Sequence, residues 1–91
     1  MLIALIAKDK PGALQVRKDN RDAHLAYIAD TGVVAQAGPL LDAEGEMCGS
    51  LIVLDAEDRA AAEAFAAGDP YAKAGLFSQV TITRWRPVFG V

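Results

Sequence analysis

The apolar positions of this chain switch between two rhythms, one suited to strands and one to helices. Leu2-Ile3-Ala4-Leu5-Ile6-Ala7 is a short run that is apolar on both faces, the pattern of a fully buried strand, and the turn-rich Lys8-Asp9-Lys10-Pro11-Gly12 ends it. A 3.6-residue rhythm then predicts a helix from about Ala13 to Asp30, with Gly32 placed to end it. Val33-Val34-Ala35-Gln36-Ala37 reads as a second strand that runs into a break at Gly38-Pro39. Asp42-Ala43-Glu44-Gly45-Glu46 is turn chemistry, and Cys48 to Leu54 resumes strand character as the hairpin partner. Asp55 is expected to cap an Ala-rich helix from Ala56 to Ala67, with Glu57 and Asp58 in its first turn and Gly68 closing it. Asp69-Pro70 starts a short helical turn through about Lys73, because proline suits the first helical position and aspartate the cap before it. The last strand is expected from Gln79 to Arg86, where Val80, Ile82 and Arg84 alternate with Thr81, Thr83 and Trp85.

The resulting order is β-α-β-β-α-β with one helical turn inserted before the final strand. Under the rules that govern crossover helices, this order gives an α+β, ferredoxin-like split βαβ sandwich with both main helices on one sheet face. The first strand has no polar face, so the other side of the sheet also needs a cover. A second copy of the sheet is the simplest one. With 91 residues the chain is expected to form one domain over 1–91 that buries only roughly two-thirds of its unfolded surface. Cys48 is the only cysteine, which excludes an internal disulfide, so a homodimer is the expected way to extend the core.

Charge narrows the function classes. The formal net charge is -3, with acidic and basic residues interspersed and no Lys/Arg run able to neutralise a series of phosphates, so nucleic-acid binding is not expected. The opening apolar run stops at Lys8, far short of the ~20 residues of a membrane span and without a charged leader before it. No membrane association is expected, and a lone thiol points to a reducing, cytoplasmic setting.

On a helical wheel, Leu14, Leu25, Ile28 and Ala29 form the apolar stripe of the first helix, while Asp19, Asp22, Ala23, Ala26 and Asp30 fall opposite, toward water. Arg17, Arg21 and His24 stack at i, i+4 and i+7 along one margin of that stripe, with Arg21 almost inside it. A guanidinium placed there requires an acidic partner, a bound anion or an opening to solvent. Such a row suits a small anionic or polarised ligand; snorkelling arginines and a satisfied histidine are the plain alternative. Asp69 caps the turn that follows it, and its second oxygen is free to accept from the His24 ring if the turn folds beside the first helix, fixing the tautomer and raising ring basicity. Tyr71 offers a hydroxyl to a ligand or a ring to the packing. Gly38-Pro39 lets a ligand or backbone approach closely, as does Gly49-Ser50, where Ser50 brings a hydroxyl but no nucleophile-elbow pattern. Cys48 reads as a small core hydrophobe. No metal-ligand spacing stands out around the single histidine, so no metal site is expected.

Taken in order, Arg17, Arg21-Asp22-Ala23-His24-Leu25, Gly32, Ala37-Gly38-Pro39, Gly49-Ser50 and Asp69-Pro70-Tyr71-Ala72-Lys73-Ala74-Gly75-Leu76 resemble the YciI-like (YCII-related) family over essentially the whole chain. The resemblance implies a ferredoxin-like domain that dimerises through its sheets into a dimeric α/β barrel, with a cleft centred on a His/Asp pair. Carried onto this chain, that pair is His24 and Asp69, with Gly38, Pro39, Gly49 and Ser50 lining the cleft. It implies a cofactor-free acid–base enzyme of lyase, isomerase or hydrolase type; one branch of the family looks like lyases of halogenated hydroxyquinols. On that reading His24 is the acid–base, Asp69 orients it, and Arg17 and Arg21 hold charge developing on a small anionic or phenolic substrate. A non-catalytic, metabolite-binding sensor dimer is the alternative. The tail from Val88 to Val91 is expected to reach a neighbouring subunit.

Overall fold

A computed structural model of the chain describes residues 1–90. The first strand, β1 (Leu2–Asp9), runs two residues further than its apolar run, through Lys8 and Asp9. Helix α1 (Leu14–Thr31) follows and ends on Gly32, whose φ of 66° is the left-handed conformation that glycine adopts without strain. Strands β2 (Val34–Leu41) and β3 (Met47–Asp55) form the hairpin, joined at a turn in which Asp42 accepts from the backbone N–H groups of Glu44 and Glu46. Helix α2 (Arg59–Gly68), the short α3 (Pro70–Lys73) and β4 (Phe77–Arg84) complete the chain.

The sheet order is β2-β3-β1-β4 with every neighbouring pair antiparallel, the ferredoxin-like arrangement that the element order predicts. Ile3, Leu5 and Ala7 of β1 and Ile52 and Leu54 of β3 point to the helix-covered face, where Ala56, Ala62 and Phe65 close the core over them. The alternate residues Ala4, Ile6, Leu51 and Val53 point to the opposite face, and Leu51 there is 40% exposed.

Three local expectations are corrected. Gly38-Pro39 does not break β2: the ladder to β3 continues through both, with Pro39 opposite Ser50, and proline is tolerated because β2 is an edge strand. The cap of α2 is Asp58, which accepts from the Ala61 N–H, because Asp55 is still paired in β3. Gly68 closes α2 without a positive φ. Its need for glycine is steric, since a Cβ there would lie 2.5 Å from the Tyr27 hydroxyl. Strand β4 begins and ends two residues earlier than expected, after a register shift opposite Lys8 and Asp9, and Trp85 lies beyond its end, its N–H donating to the Leu2 carbonyl. Of the tail, Val88 and Phe89 are almost fully exposed; Val91 lies outside the described residues. No helix among the described residues is long and apolar enough to cross a membrane.

Candidate functional site

Helix α1 turns part of its polar row toward the sheet, and of its apolar stripe only Ile28 packs against the core. Its two buried residues are Arg17 and His24, whereas Leu25 is 44% exposed and Ala29 is exposed. Arg21, expected almost inside the buried stripe, is exposed, although it lies on the same side of the helix as Arg17 and Ile28. The wheel failed because it assumed that apolar side chains define the inner face; a buried ion pair and a buried imidazole reverse that rule here.

Arg17 is held by a partner that sequence reasoning placed in a turn. Asp9 continues the alternation of Ile3, Leu5 and Ala7 toward the helices, and its carboxylate takes a bidentate pair of bonds, 2.7 Å from Arg17 Nε and 2.8 Å from Arg17 Nη2. The same Nη2 donates to Ser50 Oγ at 2.8 Å. Burial alone would pull the Arg17 pKa down, but the bonds and charge of Asp9 outweigh it and leave the guanidinium above its ordinary value, fully charged. The requirement that a buried guanidinium find a carboxylate was readable; it applies to Arg17 rather than Arg21, and Asp9 was the signal to follow.

Asp69 caps α3 by accepting from the Tyr71 N–H at 2.9 Å, and the same oxygen, not the second one, lies 2.8 Å from His24 Nδ1. Both side chains are buried. This contact favours the tautomer protonated at Nδ1 and leaves Nε2 with its lone pair. Among the described residues no buried side-chain nitrogen or oxygen lacks a partner, so Nε2, which makes no hydrogen bond to them, is not sealed from solvent. Tyr71, 2% exposed, stacks its ring on the imidazole with centroids 4.0 Å apart and planes at 15°. The Arg17 guanidinium carbon lies 4.6 Å from the centre of the same tyrosine ring, and Phe77 meets that ring edge-on. Burial raises the Tyr71 pKa, with Arg17 and Arg21 pulling against it, so the phenol is neutral through the physiological range.

These groups line one cavity of about 170 Å³ between α1 and the β2-β3 end of the sheet. Its polar wall is Arg17, Arg21, His24, Ser50 and Tyr71, and its apolar wall includes Leu25, Ile28, Pro39, Met47 and Ile52, with Gly38 at the edge. Arg21 has no salt-bridge partner among the described residues, so it is the cavity's uncompensated cation, while Asp9 neutralises Arg17. Gly49 does not line the cavity; a Cβ there would sit 2.5 Å from the Ala7 carbonyl, so its smallness serves the approach of β1. Cys48, expected in the core, is exposed.

The family model of the YCII-related domain matches residues 1–86. Protein YciI from Escherichia coli O6:H1 is 33% identical over 98 aligned residues, covering 98% of this chain and all of that protein, and an uncharacterised Haemophilus influenzae protein is 30% identical with the same coverage. Among solved structures, the 5-chloro-2-hydroxyhydroquinone dehydrochlorinase TftG of Burkholderia phenoliruptrix AC1100, in complex with 2,5-dihydroxybenzoquinone, is 39% identical with a TM-score of 0.88 over 94% of each chain. An antibiotic biosynthesis monooxygenase shares the fold at 14% identity and a TM-score of 0.57, covering 96% of this chain and all of that one. The chain belongs to the YCII-related family.

Proposed function

From membership of the YCII-related family and the walls of its cavity, we propose that this protein is a cofactor-independent acid–base enzyme acting on a small hydroxylated ring or enolisable anion. One observation carries the reading: an imidazole anchored at Nδ1 by a buried carboxylate lines a cavity bordered also by Arg21, a guanidinium with no ion-pair partner among the described residues. Nε2 takes a hydroxyl proton, Asp69 stabilises the imidazolium that forms, and Arg21 attracts the oxyanion. Arg17, already neutralised by Asp9, acts at shorter range through its remaining N–H groups. A cavity of about 170 Å³ suits one six-membered ring, since an apolar cavity of about 150 Å³ accommodates benzene.

The likeness to TftG makes dehydrochlorination of a chlorinated hydroxyquinol the first reaction to test. In that reaction two hydroxyl protons leave, one proton is delivered to the ring carbon that gives up chloride, and chloride departs with its bonding pair. HCl is lost overall, the ring becomes a hydroxyquinone, and no external oxidant is consumed. One histidine can serve as base for the first part and acid for the second. Incubation with 5-chloro-2-hydroxyhydroquinone should release chloride in step with quinone absorbance, and His24→Ala should lower the rate about 10²–10⁴-fold. Normal turnover by His24→Ala sinks the assignment; a ligand that raises the melting temperature without being consumed makes the cavity a sensor site.

The same reading includes a homodimer formed through the helix-free face of the sheet, in the cytoplasm. Support for the dimer comes from the apolar character of that face, where Leu51 is exposed and Ile6 half-buried beside the buried Ala4 and Val53. Light scattering should then return twice the chain mass of 9.6 kDa, and a monomer mass at working concentration refutes it.

A further inference from the structure

Asp69 grips the His24 ring only at one edge. The bond from Nδ1 fixes which nitrogen is protonated, but a ring held at a single atom can still rock about its Cβ–Cγ bond, a soft torsion with a broad, roughly two-fold profile. Rocking swings the Nε2 lone pair out of line with a substrate proton, and misplacements on the order of 1 Å can cost about 10²-fold in rate. What opposes this motion is the residue two places on. The Tyr71 ring lies against the imidazole face at 4.0 Å and 15°, and cannot itself move away: its ring meets the Arg17 guanidinium and the Phe77 edge, and its backbone N–H is tied to the Asp69 oxygen that also holds His24. Pro70 between them fixes the backbone of the turn. The tripeptide therefore seizes one ring twice, in its plane by Asp69 and across its face by Tyr71.

We propose that Tyr71 is a positioning residue whose ring, not its hydroxyl, holds the His24 imidazole at a fixed tilt toward the cavity. This deepens the acid–base reading and rests on it for its consequence on rate, but the geometric claim is testable without any substrate. The chain contains one histidine, so its ring signals are unambiguous in NMR spectra. In the wild-type protein, 13C relaxation of the imidazole carbons should give an order parameter near the rigid-backbone value of about 0.85. Tyr71→Leu, which removes the stacked face and leaves the Asp69 cap, should bring it below about 0.6 and lower kcat roughly tenfold to a hundredfold with little change in KM. Tyr71→Phe, which keeps the ring and deletes the hydroxyl, should restore both. A mobile imidazole in the wild-type protein overturns the proposal, and so does a rigid one in folded Tyr71→Leu. A Tyr71→Phe protein as impaired as Tyr71→Leu overturns it as well, because the hydroxyl would then be the working group. Should no substrate ever turn over, the acid–base reading fails while the relaxation result still decides the clamp.

Discussion

Helices α1 and α2 lie on the same face of the same sheet and bury opposite kinds of residue. Helix α2 inserts Ala62 and Phe65 into the hydrocarbon core; α1 inserts Arg17 and His24. The first is held by area removed from water, which is indifferent to direction. The second is held by directional bonds to Asp9, Ser50 and Asp69, each at 2.7–2.8 Å. Polar anchors of this kind fix a helix at the points where they act and need no continuous contact between them, so although Tyr27 and Ile28 still pack against the core, Leu25 is left to wall a cavity, which Ile28 borders as well. The site exists because α1 is fastened where α2 is packed.

The comparison breaks first at its two anchors. Phe65→Ala should cost about 3–5 kcal/mol by opening a void in the core, and Arg17→Met a similar amount by stranding the buried Asp9 carboxylate. Urea unfolding measures both, and a second replacement separates them. Adding Asp9→Leu to Arg17→Met should recover much of the loss, since a buried ion pair exchanged whole for apolar groups is often nearly neutral. No partner change around Ala62 should rescue Phe65→Ala in the same way. If the double variant is no better than Arg17→Met alone, the Asp9–Arg17 bonds are not what fastens α1.

The next effect is smaller and sorts the two arginines. Arg21 stands one turn along from Arg17, exposed and without an ion-pair partner among the described residues, so Arg21→Gln should leave stability within about 0.5 kcal/mol. Its cost should fall on anion recognition, with KM for an ionised substrate rising roughly tenfold, the value of one exposed charge-assisted contact. Steady-state kinetics on a charged and a neutral substrate decides this, because a uniform loss on both would remove Arg21 from ligand binding.

The sequence carried the element order, the ferredoxin-like topology and the polar residues that border the cavity, because each rests on local chemistry: turn residues, a Pro at the first helical position, a capping Asp. What it could not carry is which face of α1 looks inward. The apolar stripe and the Arg17–His24 row are both available on the wheel, and only the strand beneath decides between them. Asp9 decides it by falling on the helix-facing parity of β1. The turn-like composition from Lys8 to Gly12 concealed two strand residues, and the partner of Arg17 with them. The strand ends, the α2 cap at Asp58 and the continuity of β2 through Pro39 were missed for a related reason: pairing across the sheet overrides the local preference of a Gly-Pro or an Asp.

The smallest effect compares the two tyrosines that flank the junction between the helices. The Tyr27 hydroxyl donates to the Phe65 carbonyl on the α2 side, and Tyr71 stacks on His24 on the α1 side. Burial raises the pKa of both above the ordinary 10.0; the charge of Asp69 adds to the shift in each, and Arg17 and Arg21 oppose it only at Tyr71. A phenol whose folded-state pKa lies above its unfolded one binds its proton more tightly when folded. The stability this represents is therefore complete below pH 10 and is lost as the pH climbs through the raised folded value, at up to about 1.4 kcal/mol per pH unit for each phenol. Melting temperatures should be nearly level on the approach to pH 10 as far as these groups are concerned and then fall. Tyr71→Phe and Tyr27→Phe should each make the fall shallower, Tyr27→Phe at an added cost of about 1 kcal/mol at every pH for the bond to Phe65. An alkaline limb equally steep in both variants would mean that neither phenol is desolvated. The stack on His24 would then be open to water, and α1 would be anchored by its bonds to Asp9, Ser50 and Asp69 without help from the tyrosine.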